Sequence, residues 1–325
     1  MRTAAALIVI LPVALGGAAF AQQRPGIDPV LVGTWTLVST EQNADTPQRV
    51  LVPAPRGLLI FDAAGHVFEA ITRAEPAAGR GRGAGPQPPA STPPGLTPAQ
   101  ATFATYSGFW GTYRTDTAKK TISYQPEGAV SPNVMGRAIT RTYDVAADRL
   151  AITSMPGEPH VQGTTRWTWE RVPPVESLGP TYRRVIGFWQ HVVERRVNLT
   201  TNTVLSENRR APSIIVYSPS GYVGVHFPPL GRKPFAADVP TDEEARAALQ
   251  GYVGYFGALS VYPNMVFHQV LAGVSPRAGD TLKRPLELSG NEVTIKFPPT
   301  RNQDGHELST HVTLRRLSGE ADMVK

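Results

Sequence analysis

The chain contains no cysteine. That absence excludes disulfide staples, thiolate zinc sites, iron–sulfur clusters and a cysteine nucleophile together, so stability has to come from apolar burial. Charge of one sign is scarce as well: 32 Lys and Arg stand against 26 Asp and Glu, a net +6 spread along 325 residues. The one tight basic group, Arg80-Gly-Arg82, sits in a tract of Pro, Gly and Ala. No basic run is coupled to aromatic platforms, which speaks against nucleic acid as a partner. A serine nucleophile elbow and a paired Glu/Asp motif are missing, and Gly79-Arg-Gly81-Arg-Gly83 lacks the strand-to-helix context and glycine spacing of a dinucleotide loop. A long hydrophobic run occurs only at the start, where Arg2 precedes Ala4 to Phe20 and Ala19-Phe20-Ala21 supplies a small-x-small cleavage pattern. Residues 1–21 therefore read as a signal peptide. The expectation is a periplasmic or secreted bacterial protein without stable membrane insertion, whose mature charge, once Arg2 is removed, is 31 against 26, or +5.

What is present is a repeat. Gly57 to Ile71, GLLIFDAAGHVFEAI, returns as Ser213 to Phe227, SIIVYSPSGYVGVHF. Each copy reads as a hairpin. Four apolar residues form the first strand, four turn residues follow, and an apolar strand returns. Asp62 and Ser218 can accept a backbone hydrogen bond at the turn entry, and Gly65 and Gly221 supply the residue at positive φ. The match extends both ways. Val32-Gly-Thr-Trp35 pairs with Ile186-Gly-Phe-Trp189, Tyr106 to Gly111 with Tyr252 to Gly257, Arg141 to Leu150 with Arg284 to Val293, and Trp167 to Val172 with Val312 to Leu317. The order of elements is kept while the offset drifts between 156 and 143, which describes one fold written twice with loop insertions.

Within the first repeat, residues 29–172, the tract Ala74 to Thr97 is dominated by Pro, Gly and Ala and reads as a disordered loop. One short helix follows in each copy. Thr97 with Gln100 and Thr241 with Glu244 have capping-box spacing, and the helices are expected to carry Phe103, Tyr106 and Leu249, Tyr252 and to end at Gly108 and Gly254. The remainder is short strands separated by turn residues, which favours an antiparallel barrel. The Pro-rich linker 173–182 marks the boundary to the second barrel, 183–317. The fold class is thus mainly β: two tandem antiparallel barrels, each with one short α-helix.

The Gly-x-Trp at the head of the first strand, the GLLIFDAAGHV hairpin, the tyrosine-bearing helix, Ser131-Pro-Asn133 and the arginine Arg141 before Asp148-Arg-Leu-Ala-Ile-Thr153 together resemble the bacterial lipocalin-like domain family. The second copy departs at Arg277, where the first has Asn133, and at Pro285. The resemblance implies calycin-type barrels with an internal cavity. It also implies a structural plug at the closed end of each, Trp35 with Arg171 and Trp189 with Arg316, a stacked cation–π arrangement.

A small barrel has room for side chains or for one small ligand. Tyr106, Trp110, Tyr113, Tyr124, Tyr252, Phe256 and His268 are the candidate ligand-binding residues, each with an ordinary core reading beside it. Five of the seven histidines lie in the second repeat, and the first has Leu37, Ala70, Tyr124 and Arg166 where the second has His191, His226, His268 and His311. The scaffold does not need them. His226, His268 and His311 are accordingly candidates for proton transfer, against the reading that they are scattered and singly hydrogen-bonded. No cofactor or metal site is implied. The sequence points to an exported carrier of a small hydrophobic molecule. The alternatives are an enzyme (cyclase, isomerase or hydratase) acting in the second barrel, and a structural protein with filled barrels.

Overall fold

A strand with one face on a core and one in water alternates apolar and polar residues. The duplicated strands do not. Leu58 to Phe61 and Ile214 to Tyr217 are apolar and buried at every position, and the architecture supplies a cover for both of their faces. The structure is a computed structural model that describes residues 26–46, 50–52, 55–73, 95–158, 161, 163–275 and 278–324. The leader and residues 74–94 of the long loop lie outside them.

The first half runs β1 Gly33–Gln42, β2 Val50–Leu51, β3 Arg56–Phe61, β4 His66–Thr72, α1 Pro98–Thr105, β5 Tyr106–Asp116, β6 Thr121–Ala129, a 3₁₀ turn Pro132–Val134, β7 Ile139–Ala146, β8 Arg149–Ser154 and β9 Thr165–Val172. After α2 Pro180–Val185 the second half follows: β10 Gly187–Asn198, β11 Thr203–Asn208, β12 Ile214–Tyr217, β13 Tyr222–Phe227, α3 Asp242–Leu249, β14 Val253–Tyr262 and β15 Met265–Ser275. Then come β16 Thr281–Ser289, β17 Glu292–Lys296, β18 Thr300–Arg301, β19 Glu307–Arg316 and α4 Glu320–Met323. All pairings are antiparallel, and with the short strands β2, β11 and β18 set aside each strand pairs with the next in the chain. β1 closes on β9 and β10 closes on β19, giving two separate eight-stranded barrels with β2, β11 and β18 as short appendages.

The turn chemistry is local. Gly65 and Gly221 sit at φ 92 and 81, the His66 N–H donates to Asp62 Oδ1 at 2.7 Å, and the Ser220 N–H donates to Ser218 Oγ at 2.9 Å. Both capping boxes form. The helices stop earlier than their apolar stripe predicts, at Thr105 and Leu249, because Tyr106 already pairs with Thr72 on β4 and Val253 with Phe227 on β13. Each copy then carries a bulge after Trp110 and Phe256. A Cβ at Gly111 or Gly257 would stand 2.1 or 2.0 Å from the carbonyl of Gln125 or Gln269, so only glycine fits. Where the first and last strands of each barrel meet, Arg171 lies 4.0 Å from the Trp35 ring and Arg316 4.1 Å from Trp189. The guanidiniums also donate to the carbonyls of Val32 (2.8 Å) and Ile186 (2.9 Å), tying the first strand to the last.

Each barrel has its own interior core, and a third cluster lies between them. Leu59 and Phe61 face into barrel 1 while Leu58 and Ile60 face out; Ile215 and Tyr217 face into barrel 2 while Ile214 and Val216 face out. The outward residues of the two hairpins meet, joined by Trp110, Phe188, Tyr252 and Phe256. The Pro-rich connection therefore joins two barrels that share a buried apolar interface. Equivalent positions meet across it: α1 packs on α3, and Phe68 lies on its counterpart Gly224, where a Cβ would stand 2.4 Å from the Phe68 ring. This is the isologous pattern of a two-fold dimer, written within one chain. Polar links tie the rim. Asn133 Oδ1 accepts from the Phe235 N–H at 2.6 Å, Arg232 donates to the Ala129 carbonyl at 2.7 Å, and Gln100 donates to the Pro240 carbonyl at 2.9 Å.

His226 is fully buried in this interface. Its ring packs on Phe68 at 5.0 Å and its Nδ1 lies 2.7 Å from the Tyr252 hydroxyl. Nε2 faces the Glu69 backbone carbonyl of barrel 1 without a well-aligned hydrogen bond. Burial holds the imidazole down to about 3; the Glu69 carbonyl opposes this and Arg232 reinforces it.

Two outcomes follow from this interface. Gly224→Ala should cost about 1–3 kcal/mol in chemical denaturation through overpacking, Gly224→Phe should cost more, and adding Phe68→Gly to Gly224→Phe should recover most of that larger loss; recovery of less than half would argue against equivalent positions meeting. Below pH 6.5 the unfolded chain protonates His226 and the folded chain does not, down to about 3. Stability from this site is therefore full above pH 6.5 and declines as pH falls, with a slope of about 1.4 kcal/mol per pH unit. His226→Gln should flatten the slope between pH 6 and 4 in urea titrations, and an unchanged slope would rule out the neutral buried imidazole.

Candidate functional site

Strand alternation sends Val67, Glu69 and Ile71 of β4 and Ile139, Arg141 and Tyr143 of β7 into barrel 1. Two of these six are charged. Arg141 is 4 % exposed and Glu69 4 % exposed, and their side chains meet at 2.7 Å. Glu158, in the connection between β8 and β9, reaches the same guanidinium at 2.8 Å from Nη2 and 3.1 Å from Nε. Arg141 lies over Trp167 at 4.4 Å and Tyr124 at 5.4 Å. Burial works to discharge Arg141, but Glu69 and then Glu158 more than reverse that and hold it charged. Burial pushes the Glu69 carboxyl up, and Arg141 opposes the shift. The Tyr124 hydroxyl stands beside this set. It lies close to Arg141 without a well-aligned hydrogen bond, and the indole N–H groups of Trp167 and Trp169, with Thr40 Oγ1, are buried polar atoms that lack a hydrogen-bond partner among the described residues. Each such orphan costs about 1–3 kcal/mol unless something else satisfies it.

Barrel 2 is furnished differently. The Glu69 position is Val225, those of Trp167 and Trp169 are Val312 and Leu314, and that of Tyr124 is His268. His268 is 1 % exposed, with Nδ1 2.7 Å from the Tyr255 hydroxyl and its ring centroid 5.6 Å from that of Tyr217. Burial, then the charge of Arg284, holds the imidazole down to about 3. Arg284 lies 4.2 Å from the Phe297 ring.

The sequence-derived candidates thus fall in three places. Tyr113 and Tyr124 are inside barrel 1, although the Tyr113 hydroxyl is spent on the Asp62 carbonyl at 2.9 Å and its ring on Phe61 at 4.6 Å. His268 is inside barrel 2. Tyr106, Trp110, Tyr252 and Phe256 lie between the barrels, outside either cup. Adjacent aromatics in strands, Phe109-Trp110 and Tyr255-Phe256, point to opposite faces, and in each pair the first points inward. The three histidines proposed for proton transfer stand apart. His226 is in the interface, His268 inside barrel 2, and His311 on the outer face of β19 opposite Lys296. Arg141, Glu69, Glu158 and Tyr217 were not among the sequence candidates. The signal for the first two was a charged residue in phase with apolar inward neighbours on β4 and β7. Among the described residues no group of three or more His, Asp and Glu is arranged to hold a metal ion, and no helix is long and apolar enough to cross a membrane. An open groove of about 860 Å³ lies between α1 and α3, lined by Pro98, Thr102, Asp242, Arg246 and Leu249 among others.

Comparison with known proteins agrees with this architecture. No curated protein matches the chain. Among solved structures, a protein of unknown function of the DUF3598 family from Nostoc punctiforme is similar at 11% identity over 89% of this chain and 97% of that one, with a TM-score of 0.20. A tryptophan-to-alanine mutant of the vaccine antigen transferrin binding protein B from Haemophilus parasuis is similar at 7% identity over 82% of this chain and 61% of that one, also with a TM-score of 0.20. At those scores neither carries an argument. A sequence profile does: that of the lipocalin-like domain matches twice, over residues 32–172 and 187–317. With both of its closed barrels matched, the chain belongs to the lipocalin-like domain family.

Proposed function

We propose that the protein is an exported carrier of a small, largely apolar molecule, bound in the cup of the first barrel with its polar end at the Arg141, Glu69 and Glu158 set. Lipocalin-like barrels are ligand-binding scaffolds in general. The observation that carries the finer reading is the pair of unpartnered indole N–H groups on Trp167 and Trp169, buried in the same interior as the Arg141, Glu69 and Glu158 set. An interior made only to fill itself would use apolar side chains at those positions, as barrel 2 does with Val312 and Leu314. Charge supports a neutral or weakly polar ligand. Arg141 is already met by two carboxylates, so a fatty-acid anion entering there would face a site with no surplus positive charge. Export is supported by the apolar leader ending at Ala21.

Trp167 and Trp169 report on this cup. A neutral fluorescent hydrophobe such as N-phenyl-1-naphthylamine is expected to quench them on binding to the full chain, and Trp167→Phe is expected to weaken binding by about tenfold. Absence of quenching, together with a bare polypeptide mass for protein purified from its own cells, would overturn the carrier reading. Export is tested separately: the mature protein should begin at Gln22, and an N-terminus retaining the apolar run on protein recovered from the cytoplasm would contradict it.

A further inference from the structure

The second barrel contains polar groups that the carrier reading does not use. Tyr217, Tyr255 and His268 take the places of Phe61, Phe109 and Tyr124. The scaffold therefore accommodates phenylalanine at the first two positions, and the hydroxyls of Tyr217 and Tyr255 are additions peculiar to this copy. All three side chains are nearly fully buried. Tyr255 and His268 satisfy each other through Nδ1 at 2.7 Å. A phenol is the better donor and a neutral imidazole nitrogen the better acceptor, so the proton of Tyr255 points to Nδ1 and the imidazole proton resides on Nε2. His268 Nε2 and the Tyr217 hydroxyl lack a hydrogen-bond partner among the described residues, and their rings stand 5.6 Å apart, centroid to centroid. Two unpartnered polar groups thus belong to neighbouring rings inside the barrel, whose core also holds the apolar residues Leu259, Val266 and Leu286. Arg284 adds positive potential at the same place, acting on Tyr217, Tyr255 and His268 alike.

We propose that barrel 2 is a second binding site, distinct in chemistry from the first, in which His268 Nε2–H and Tyr217 O–H together hold the carbonyl oxygen of an uncharged apolar molecule such as a long-chain ketone or ester. This rests on the barrels being ligand-binding cups. Two donors on neighbouring rings suit the two lone pairs of a carbonyl, and a hydrocarbon would leave both donors unsatisfied. Burial also keeps the imidazole neutral, so Nε2–H remains a single, oriented donor across the physiological pH range.

The test uses the full chain with isotope-labelled histidine and three probes of one chain length: 2-undecanone, undecane and undecanoate. The expected result is an Nε2–H tautomer for His268, a downfield shift of that proton with 2-undecanone, and affinity for the ketone about tenfold above that for the alkane. Tyr217→Phe should lower ketone affinity by about tenfold, leave alkane affinity unchanged, and leave the melting temperature equal or higher, since it removes an orphan hydroxyl. A proton on Nδ1, equal affinity for ketone and alkane, tighter binding of undecanoate, or an indifferent Tyr217→Phe would each overturn the proposal. Quenching of Trp167 read in the same samples separates the two sites. Quenching without a His268 response leaves the first cup standing and removes the second, whereas loss of both removes both.

Discussion

The structure depends on a strand pair that is apolar on both faces. In a free-standing barrel the outer face of β3 and β4 would meet water, and Leu58, Ile60, Phe68 and Ala70 would be exposed at a cost of about 1.5–3 kcal/mol for each large side chain. The same holds for Ile214 and Val216 in the second copy. Placing the two hairpins face to face covers all of them in one apolar cluster. The tandem arrangement is therefore a requirement of the sequence, because neither barrel presents a finished surface alone.

A pair of identical copies could not close that interface as it stands. On a two-fold axis a residue meets itself, and two phenylalanines at position 68 would occupy one space. Duplication within one chain removes the identity constraint, so position 68 is Phe in one copy and Gly in the other, and a knob enters a hole. His226 and Ala70 differ in the same way: the imidazole projects from barrel 2 toward Gly108 of barrel 1, where a Cβ would lie 2.9 Å from Nε2. Separate copies tied by β2- or β11-type edge pairing would leave the sheets merged. Here the sheets stay closed and only side chains cross.

Much of the fold was legible because it is local. The glycines at positive φ, the turn acceptors Asp62 and Ser218, and the two capping boxes are short-range chemistry that a sequence displays directly, and duplication displayed each of them twice. The interface was displayed too, in four consecutive apolar residues where a half-solvated strand would alternate. It escaped reading because a run of that kind is also what a strand buried within one barrel would show. The site was less legible for a related reason. At Phe109-Trp110 and Tyr255-Phe256 both neighbours are aromatic, so residue type does not reveal which points inward; only register does, and register is set by the partners of β4 and β13. Arg141 and Glu69 were hidden by separation: they stand 72 positions apart in the chain, and each alone resembles a surface charge on an ordinary strand. Tyr217 was hidden inside the hydrophobic run that made the hairpin recognisable.

A buried ion set is no more stabilising than well-packed apolar residues of similar volume, and an unpaired hydroxyl or indole N–H is a net cost. Barrel 2 shows that the scaffold closes with Val225, Val312 and Leu314 where barrel 1 has Glu69, Trp167 and Trp169. Barrel 1 shows in turn that it closes with Phe61 and Phe109 where barrel 2 has Tyr217 and Tyr255. Each copy thus demonstrates that the polar groups of the other are dispensable for folding. The proposed guests give such groups a use that folding does not, and because the two sets differ in charge and in donor count, the guests proposed for the two cups differ in chemistry.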